Sequence, residues 1–200
     1  MLQESRRALR AEFKRRRAAL PPAARAAAAG AIARHVAATS WLSPRRNIGL
    51  YAARAPEVDT AALRALARRR QCNLYLPRVI DYHSRRLRYF RDTGSAHELS
   101  RFGIPEPAPR FPVPVTALSV VFLPLLSFDA RGARLGSGAG YYDRLLAFRR
   151  HRVSWHRPLL VGLAYACQET PLIETHAHDV PLDAVVTEAG IRFFPRSVHP

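Results

Sequence analysis

Residues 119–148, "SVVFLPLLSFDARGARLGSGAGYYDRLLAF", decide how the chain is read. The first eight, "SVVFLPLL", are a continuous apolar run. That is how a parallel strand covered on both faces reads, since neither side can carry polar residues. Three glycines at alternate positions follow, Gly136, Gly138 and Gly140, and then "YYDRLLAF", which reads as a helix. Glycine costs backbone entropy, so this density asks for a reason. A backbone curling closely around phosphate at a helix start supplies one; a flexible surface loop is the alternative. Strand, loop and helix in that order set the loop beyond the carboxyl end of the strand, where open parallel sheets bind ligands.

Working outward, "NIGLYAA" (47–53) reads as a buried strand and "DTAALRALARRR" (59–70) as an amphipathic helix capped by Asp59 or Thr60. "CNLYLPRV" is the next strand, and "VIDYHSRRLRYFR" (79–91) a hairpin with a polar turn at residues 83–85. Residues 92–117 are proline-rich and irregular. "PLLVGLAYA" (158–166) is another strand, and "AVVTEAGIRFF" (184–194) supplies one or two more. At the start, residues 5–20 place Leu9, Phe13 and Leu20 on one side of a helix and Arg6, Arg10, Lys14 and Arg17 on another. Pro21 and Pro22 end it, and a second helix runs through the alanine-rich stretch to about Ser40. Strands alternating with helices predict an α/β fold: a three-layer α/β/α arrangement with a mainly parallel central sheet, in a single domain over residues 1–200.

Two hundred residues suffice for one sizeable core. The longest apolar tract, "AARAAAAGAIARHVAATSW", is broken by Arg25, Arg34 and His35, short of the ~18 clean residues a membrane span needs. "KRRR" stands where a signal peptide would be apolar, and Glu4 and Glu12 argue against a transit peptide. Cys72 and Cys167 are too few for a disulfide framework or a zinc site. A reducing cytoplasm is expected. The net charge of +17 favours an anionic partner, although a coding bias toward arginine and alanine would produce the same excess. Lys14 is the one lysine among these cations.

The glycine loop lacks the Gly-Lys-Ser/Thr of a P-loop and the spacing of a dinucleotide fingerprint. By residue chemistry alone three readings stand. One is an enzyme using a phosphorylated ligand. The second is an arginine-rich nucleic-acid-binding protein, although no zinc finger, clear helix-turn-helix or RNA-binding aromatic pattern supports it. The third is a sugar-phosphate isomerase-like enzyme on a similar sheet. His176 and His178 lack a third ligand for a metal and read as loop residues, while Trp41 and Trp155 read as packing aromatics.

Eight segments in order narrow the choice: "RRALR", "EVDT", "LPRV", "FGIPEP", "LPLLSFDARGARLG", "YYDRLL", "VGLAYACQ" and "HDVPLDAVVTEAGI". Together they resemble the 5-formyltetrahydrofolate cyclo-ligases, also called methenyltetrahydrofolate synthetases, from about residue 6 to residue 191. The resemblance implies an ATP- and Mg²⁺-dependent cyclisation of 5-formyltetrahydrofolate to 5,10-methenyltetrahydrofolate, with release of ADP and phosphate. It implies that ATP is held by Arg6 and Arg10 and by the loop Arg134, Leu135, Gly136, Ser137, Gly138, Ala139, Gly140, Tyr141 and Tyr142. Arg134 and Tyr142 become the catalytic candidates, Asp143 and Asp179 the magnesium carboxylates, and Ala52, Glu57, Phe102 and Tyr141 the folate-binding residues. Its partners are then the two small substrates, with no nucleic acid and no membrane, and the protein is a monomer.

Each of these residues also has an ordinary reading. Asp143 suits the first turn of any helix, Asp179 a turn, Glu57 an exposed helix entrance, and Phe102 a core. The loop departs from the Gly-Tyr-Gly-Gly-Gly of many bacterial members by carrying Ser137 and Ala139. Alanine is penalised at positive φ, so Ala139 is expected at negative φ.

Overall fold

The computed structural model describes residues 2–94, 98–101, 103–151 and 157–195. Phe102 and Trp155 lie outside the described residues. Two helices open the chain, α1 (Leu2–Ala19) and α2 (Pro22–Ala37), followed by strand β1 (Asn47–Gly49), helix α3 (Ala61–Arg69), and strands β2 (Asn73–Asp81) and β3 (Arg86–Arg91). Short strands β4 (Glu98–Leu99), β5 (Pro105–Glu106) and β6 (Pro112–Val113) cross the proline-rich region. Then come β7 (Val120–Pro124), β8 (Ser127–Phe128), β9 (Arg134–Leu135) and the short helix α4 (Tyr141–Leu145). Strands β10 (Leu159–Leu163), β11 (Ala184–Thr187) and β12 (Gly190–Phe193) complete the described part.

Among the described residues eight strands form one sheet in the order β12-β11-β10-β7-β1-β2-β3-β6. The run from β11 to β2 is parallel, and β12, β3 and β6 are antiparallel additions at the edges. The fold is α/β with a mainly parallel sheet, as expected. β7 lies in its middle because both of its faces are apolar. Val120 and Phe122 join Ile32, Val36, Ile48 and Val161 in the core beneath α2 and α3. Val121 and Leu123 point to the opposite core with Leu118, Leu146 and Leu160. Trp41 is packed edge-on against Phe122, with ring centroids 6.3 Å apart.

Several local expectations are refined. The strand at 47–53 stops at Gly49, so Tyr51 and Glu57 lie beyond the strand end. "AVVTEAGIRFF" is the antiparallel hairpin of β11 and β12. At the start of α3, Asp59 Oδ1 accepts the Ala61 amide at 2.8 Å, while the Thr60 hydroxyl donates instead to the Tyr51 carbonyl at 2.7 Å. The helix after the glycines has only five residues and gives way to a 3₁₀ turn at Ala147–His151. The layer on that face is therefore thinner than the α2–α3 layer. Helix α1 belongs to neither layer. Its Arg17 donates to the Leu125 carbonyl at 3.3 Å and its Arg10 to the Gly136 carbonyl at 3.1 Å, so it lies over the carboxyl ends of the strands.

The small hairpin β8–β9 was not visible in the sequence. Its turn is held by Asp129, which is fully buried. Asp129 accepts the amides of Arg131 (2.9 Å), Ala133 (3.0 Å) and Ile173 (3.1 Å), as well as the Arg131 guanidinium (2.9 Å). Among the described residues no helix is long and apolar enough to cross a membrane.

Candidate active site

A cleft of about 650 Å³ opens over the carboxyl ends of the parallel strands, between α1 and the glycine loop. One wall is a single face of α1, where Arg6, Arg10, Lys14 and Arg17 follow one another at helical spacing. The loop from Gly136 to Tyr142 forms the opposite wall, with Arg134 at its base. Glu57 comes in from the segment after β1, and Asp143 and Asp179 complete the rim. Residues more than 120 positions apart in the chain thus meet at one site.

Within the loop, Gly138 (φ 105°) and Gly140 (φ 71°) occupy the left-handed region that side chains avoid. Gly136 and Ala139 do not, so the expected negative φ at Ala139 holds. The Ala139 carbonyl accepts bonds from Arg85 at 3.2 Å and Arg144 at 3.4 Å, which fix the loop from outside the cleft.

The cations are arranged by specific bonds. Arg6, buried, donates to the Glu174 carbonyl at 2.6 Å and to Asp179 Oδ2 at 2.7 Å. Asp179 also accepts the His176 amide at 2.9 Å. Burial alone would push the Asp179 carboxyl up, but the His176 amide and the Arg6 guanidinium outweigh it and hold it below the usual range. Arg134 donates from Nη2 to Asp143 Oδ1 at 2.5 Å. Its Nε is buried and has no hydrogen-bond acceptor among the described residues, and neither has Arg17 Nε. Buried donors without acceptors are rare and costly, so both are available to a ligand or a water that enters the cleft. Burial lowers the Arg10 guanidinium, and Arg6 adds to this while Asp179 opposes it. An arginine so placed still carries its charge at neutral pH.

Burial raises the Tyr142 hydroxyl well above its ordinary value, and Glu57 pushes in the same direction. Tyr142 is therefore a neutral hydrogen-bonding group, not a phenolate base. Glu57 is itself raised by burial, opposed by the Arg54 amide (2.9 Å to Oε2) and by the charges of Arg17 and Arg54. Among the described residues no three His, Cys, Asp or Glu side chains converge as a metal-binding group. A Mg²⁺ ion here would use Asp143 or Asp179 and take its other ligands from water or a bound phosphate. Such a set suits this ion, which keeps several waters and seldom needs an all-protein cage.

The whole of the expected loop except Leu135 faces the cleft. Leu135 is fully buried in a small cluster with Ala133 and Ile173, so it shapes the loop from behind. Ala52 is not on the wall.

The arrangement suits a polyanion lying next to a ligand read by a carboxylate. The profile of the 5-formyltetrahydrofolate cyclo-ligase family matches residues 2–188. The chain belongs to this family. It is 32% identical over 186 residues to a 5-formyltetrahydrofolate cyclo-ligase of Haemophilus influenzae, covering 90% of this chain and 95% of that one. A relative of the same description from Escherichia coli is 33% identical over 138 residues, 68% of this chain and 74% of the relative. Among solved structures, the 5,10-methenyltetrahydrofolate synthetase of Aquifex aeolicus superposes with a TM-score of 0.79 at 28% identity, covering 98% and 96% of the two chains. A Mycoplasma pneumoniae synthetase shares the fold, with a TM-score of 0.70 at 21% identity over 92% and 98%.

As a member of this family the protein is a ligase of folate one-carbon metabolism. Sequence reasoning left Lys14 and Arg17 unassigned and read His176 and His178 as plain loop residues, yet all four line the cleft. The two imidazoles stack with centroids 5.1 Å apart at its rim. For Lys14 and Arg17 the signal was available: they continue the helical stripe begun by Arg6 and Arg10. For the histidines there was none, because a loop has no period.

Proposed function

We propose that the cleft binds ATP and 5-formyltetrahydrofolate side by side and closes the folate ring at the expense of ATP. The observation that carries this reading is the convergence of Arg6, Arg10 and Arg134 on the glycine loop, with Arg134 Nε buried and lacking an acceptor among the described residues. Phosphoryl transfer depends on in-line placement and charge neutralisation more than on a protein nucleophile. This cleft offers arginines, loop amides and carboxylates of that kind.

In the proposed reaction the formyl oxygen attacks the γ-phosphorus as the bond to the bridging oxygen breaks, and ADP departs with that electron pair. The activated carbon is then attacked by N10. Its carbon–oxygen bond breaks, phosphate leaves, and N10 gives up its proton, producing 5,10-methenyltetrahydrofolate. Arg6, Arg10 and Arg134 neutralise the phosphates. Gly138 and Gly140 let the loop backbone approach closely. Neutral Tyr142 offers its hydroxyl near the transferring group, and Tyr141 stands between the nucleotide and the folate. Glu57 accepts from the adjacent N–H and amino donors of the pterin, a pairing that suits a carboxylate. Magnesium, when bound, would add charge neutralisation at the phosphates, and Asp143 and Asp179 are the carboxylates that would hold it. The same reading makes the protein a cytoplasmic monomer with small-molecule partners only.

The test follows absorbance of the methenyl product with 5-formyltetrahydrofolate present and ATP and Mg²⁺ omitted in turn. Product should form only when both are supplied. An equal rate without ATP would overturn the proposal.

A further inference from the structure

Between β1 and α3 the chain runs from Leu50 to Thr60 without helix or strand, so no ladder fixes the backbone that presents Glu57 to the cleft. Two phenols from the core fix it instead. Tyr51 donates its hydroxyl to the Val58 carbonyl at 3.0 Å, and Tyr165 donates to the Glu57 carbonyl at 3.1 Å. Both side chains are buried in the core beneath α2 and α3. Two successive carbonyls are thus held by rings that cannot move without disturbing close packing. Tyr51 is braced in turn, since its own carbonyl accepts the Thr60 hydroxyl at 2.7 Å. Tyr165 is braced by Gln168, which is fully buried. The Gln168 side chain accepts the Tyr165 amide at 2.8 Å and donates to the Leu125 and Leu126 carbonyls at 2.8 and 3.0 Å. Leu125 and Leu126 line the cleft where β7 gives way to the hairpin that carries Arg134. One buried side chain therefore ties that strand end to the residue that holds Glu57.

We infer that Tyr51 and Tyr165 are positioning residues for the folate half of the cleft. They clamp the 57–58 backbone so that the Glu57 carboxylate meets the pterin at a fixed place, and Gln168 sets that place against the end of β7. The clamp's purpose rests on the pterin-reading role proposed above for Glu57. Neither tyrosine is on the cleft wall, so both act through Glu57 rather than on a ligand. A carboxylate that accepts two donors from one flat ring needs its direction fixed, because hydrogen bonds weaken steeply off line. With a carbonyl released, the segment gains conformations of its own and the carboxylate faces the ring for part of the time. Both hydroxyls donate to the 57–58 backbone and to none of the elements proposed to hold ATP. Loss of either is therefore felt by one substrate and not by the other.

Steady-state kinetics of Tyr165→Phe, which keeps the ring and deletes the hydroxyl, read the clamp directly. KM for 5-formyltetrahydrofolate should rise by about fivefold or more, while kcat and KM for ATP stay within about twofold. The acid limb of kcat/KM for the folate should also move toward the ordinary glutamate value, since a loosened segment lets water reach the Glu57 carboxyl that burial raises. Tyr51→Phe carries the same predictions and decides the matter if Tyr165→Phe does not fold. In a Glu57→Ala background, Tyr165→Phe should add less than about twofold, because its effect passes through the carboxylate. A KM for the folate within about twofold of the unaltered protein's overturns the clamp. Equal rises for both substrates overturn it too, since a general loss of structure spares neither half of the cleft. A full further loss in the Glu57→Ala background would refute action through Glu57. If the unaltered protein forms no methenyl product with both substrates and Mg²⁺ supplied, the folate reading itself falls, and the clamp's purpose with it.

Discussion

Glu57 occupies the cleft wall with Oε2 on the Arg54 amide and its backbone carbonyl on the Tyr165 hydroxyl at 3.1 Å. Burial raises its pKa, so between the ordinary glutamate value and the raised one the folded protein binds more protons than the unfolded chain. Stability therefore falls as pH rises through that window and remains lower above it. Glu57→Gln keeps the acceptor for the Arg54 amide and removes the buried charge, so its thermal midpoint at neutral pH should equal or exceed that of the unaltered protein. Activity has the opposite sign. In the proposed role Glu57 accepts from the pterin in its ionised form, so kcat/KM for the folate should decline on the acid side with a midpoint above the ordinary glutamate range. That limb should be missing in Glu57→Gln, and an unchanged acid limb there would assign it to another group. At this scale Arg6, Arg10, Arg134, Asp143 and Asp179, picked out through the family motifs, all line the cleft. The same motifs set Leu135 among the ATP-binding loop residues, whereas the side chain turns into the core, a matter of hairpin geometry.

The hairpin β8–β9 shows the opposite balance at the scale of elements. Each strand is two residues long, too short for any hydrophobic period to register, yet the hairpin carries Arg134 to the base of the cleft. What specifies it is Asp129, whose carboxylate gathers three backbone amides, one of them from Ile173 on a distant segment. Asp129→Ala would leave those donors buried without acceptors. The expected loss is about 3 kcal/mol of stability, read from denaturant midpoints, with activity falling as Arg134 loses its support. A change below about 0.5 kcal/mol would mean that water or a neighbour replaces the carboxylate freely. The long apolar runs behaved differently. β7 and β10 were legible because burial on both faces leaves few choices of residue, and the hairpin of β2 and β3 because its polar turn interrupts two alternating runs. Helix α4 fell short of its predicted length since its apolar residues continue into a 3₁₀ turn.

Across the whole molecule the charge of +17 poses the question of how much is specific. Arg10 lies in the cleft with its Nε on the Gly136 carbonyl at 3.1 Å, whereas Arg69 is exposed on α3, away from the cleft. Arg10→Ala should lower kcat/KM for ATP by about tenfold or more, and Arg69→Ala by less than about twofold. Equal losses would mean that the arginines act only as a diffuse field. What the sequence by itself determined was the α/β class, the buried parallel strands, the loop beyond β7 and the family motifs. All of these are local patterns of burial, glycine and residue order that survive in a linear reading. Only the tertiary structure decided that α1 leaves the covering layers to lie over the strand ends, turning a basic stripe into a wall of the cleft. It also decided which arginine pairs with which carboxylate, Arg6 with Asp179 and Arg134 with Asp143. The reason is physical: helical spacing states which residues share a face, but what that face meets depends on the sheet that receives it, and opposite charges in one cleft pair by distance and burial rather than by order in the chain.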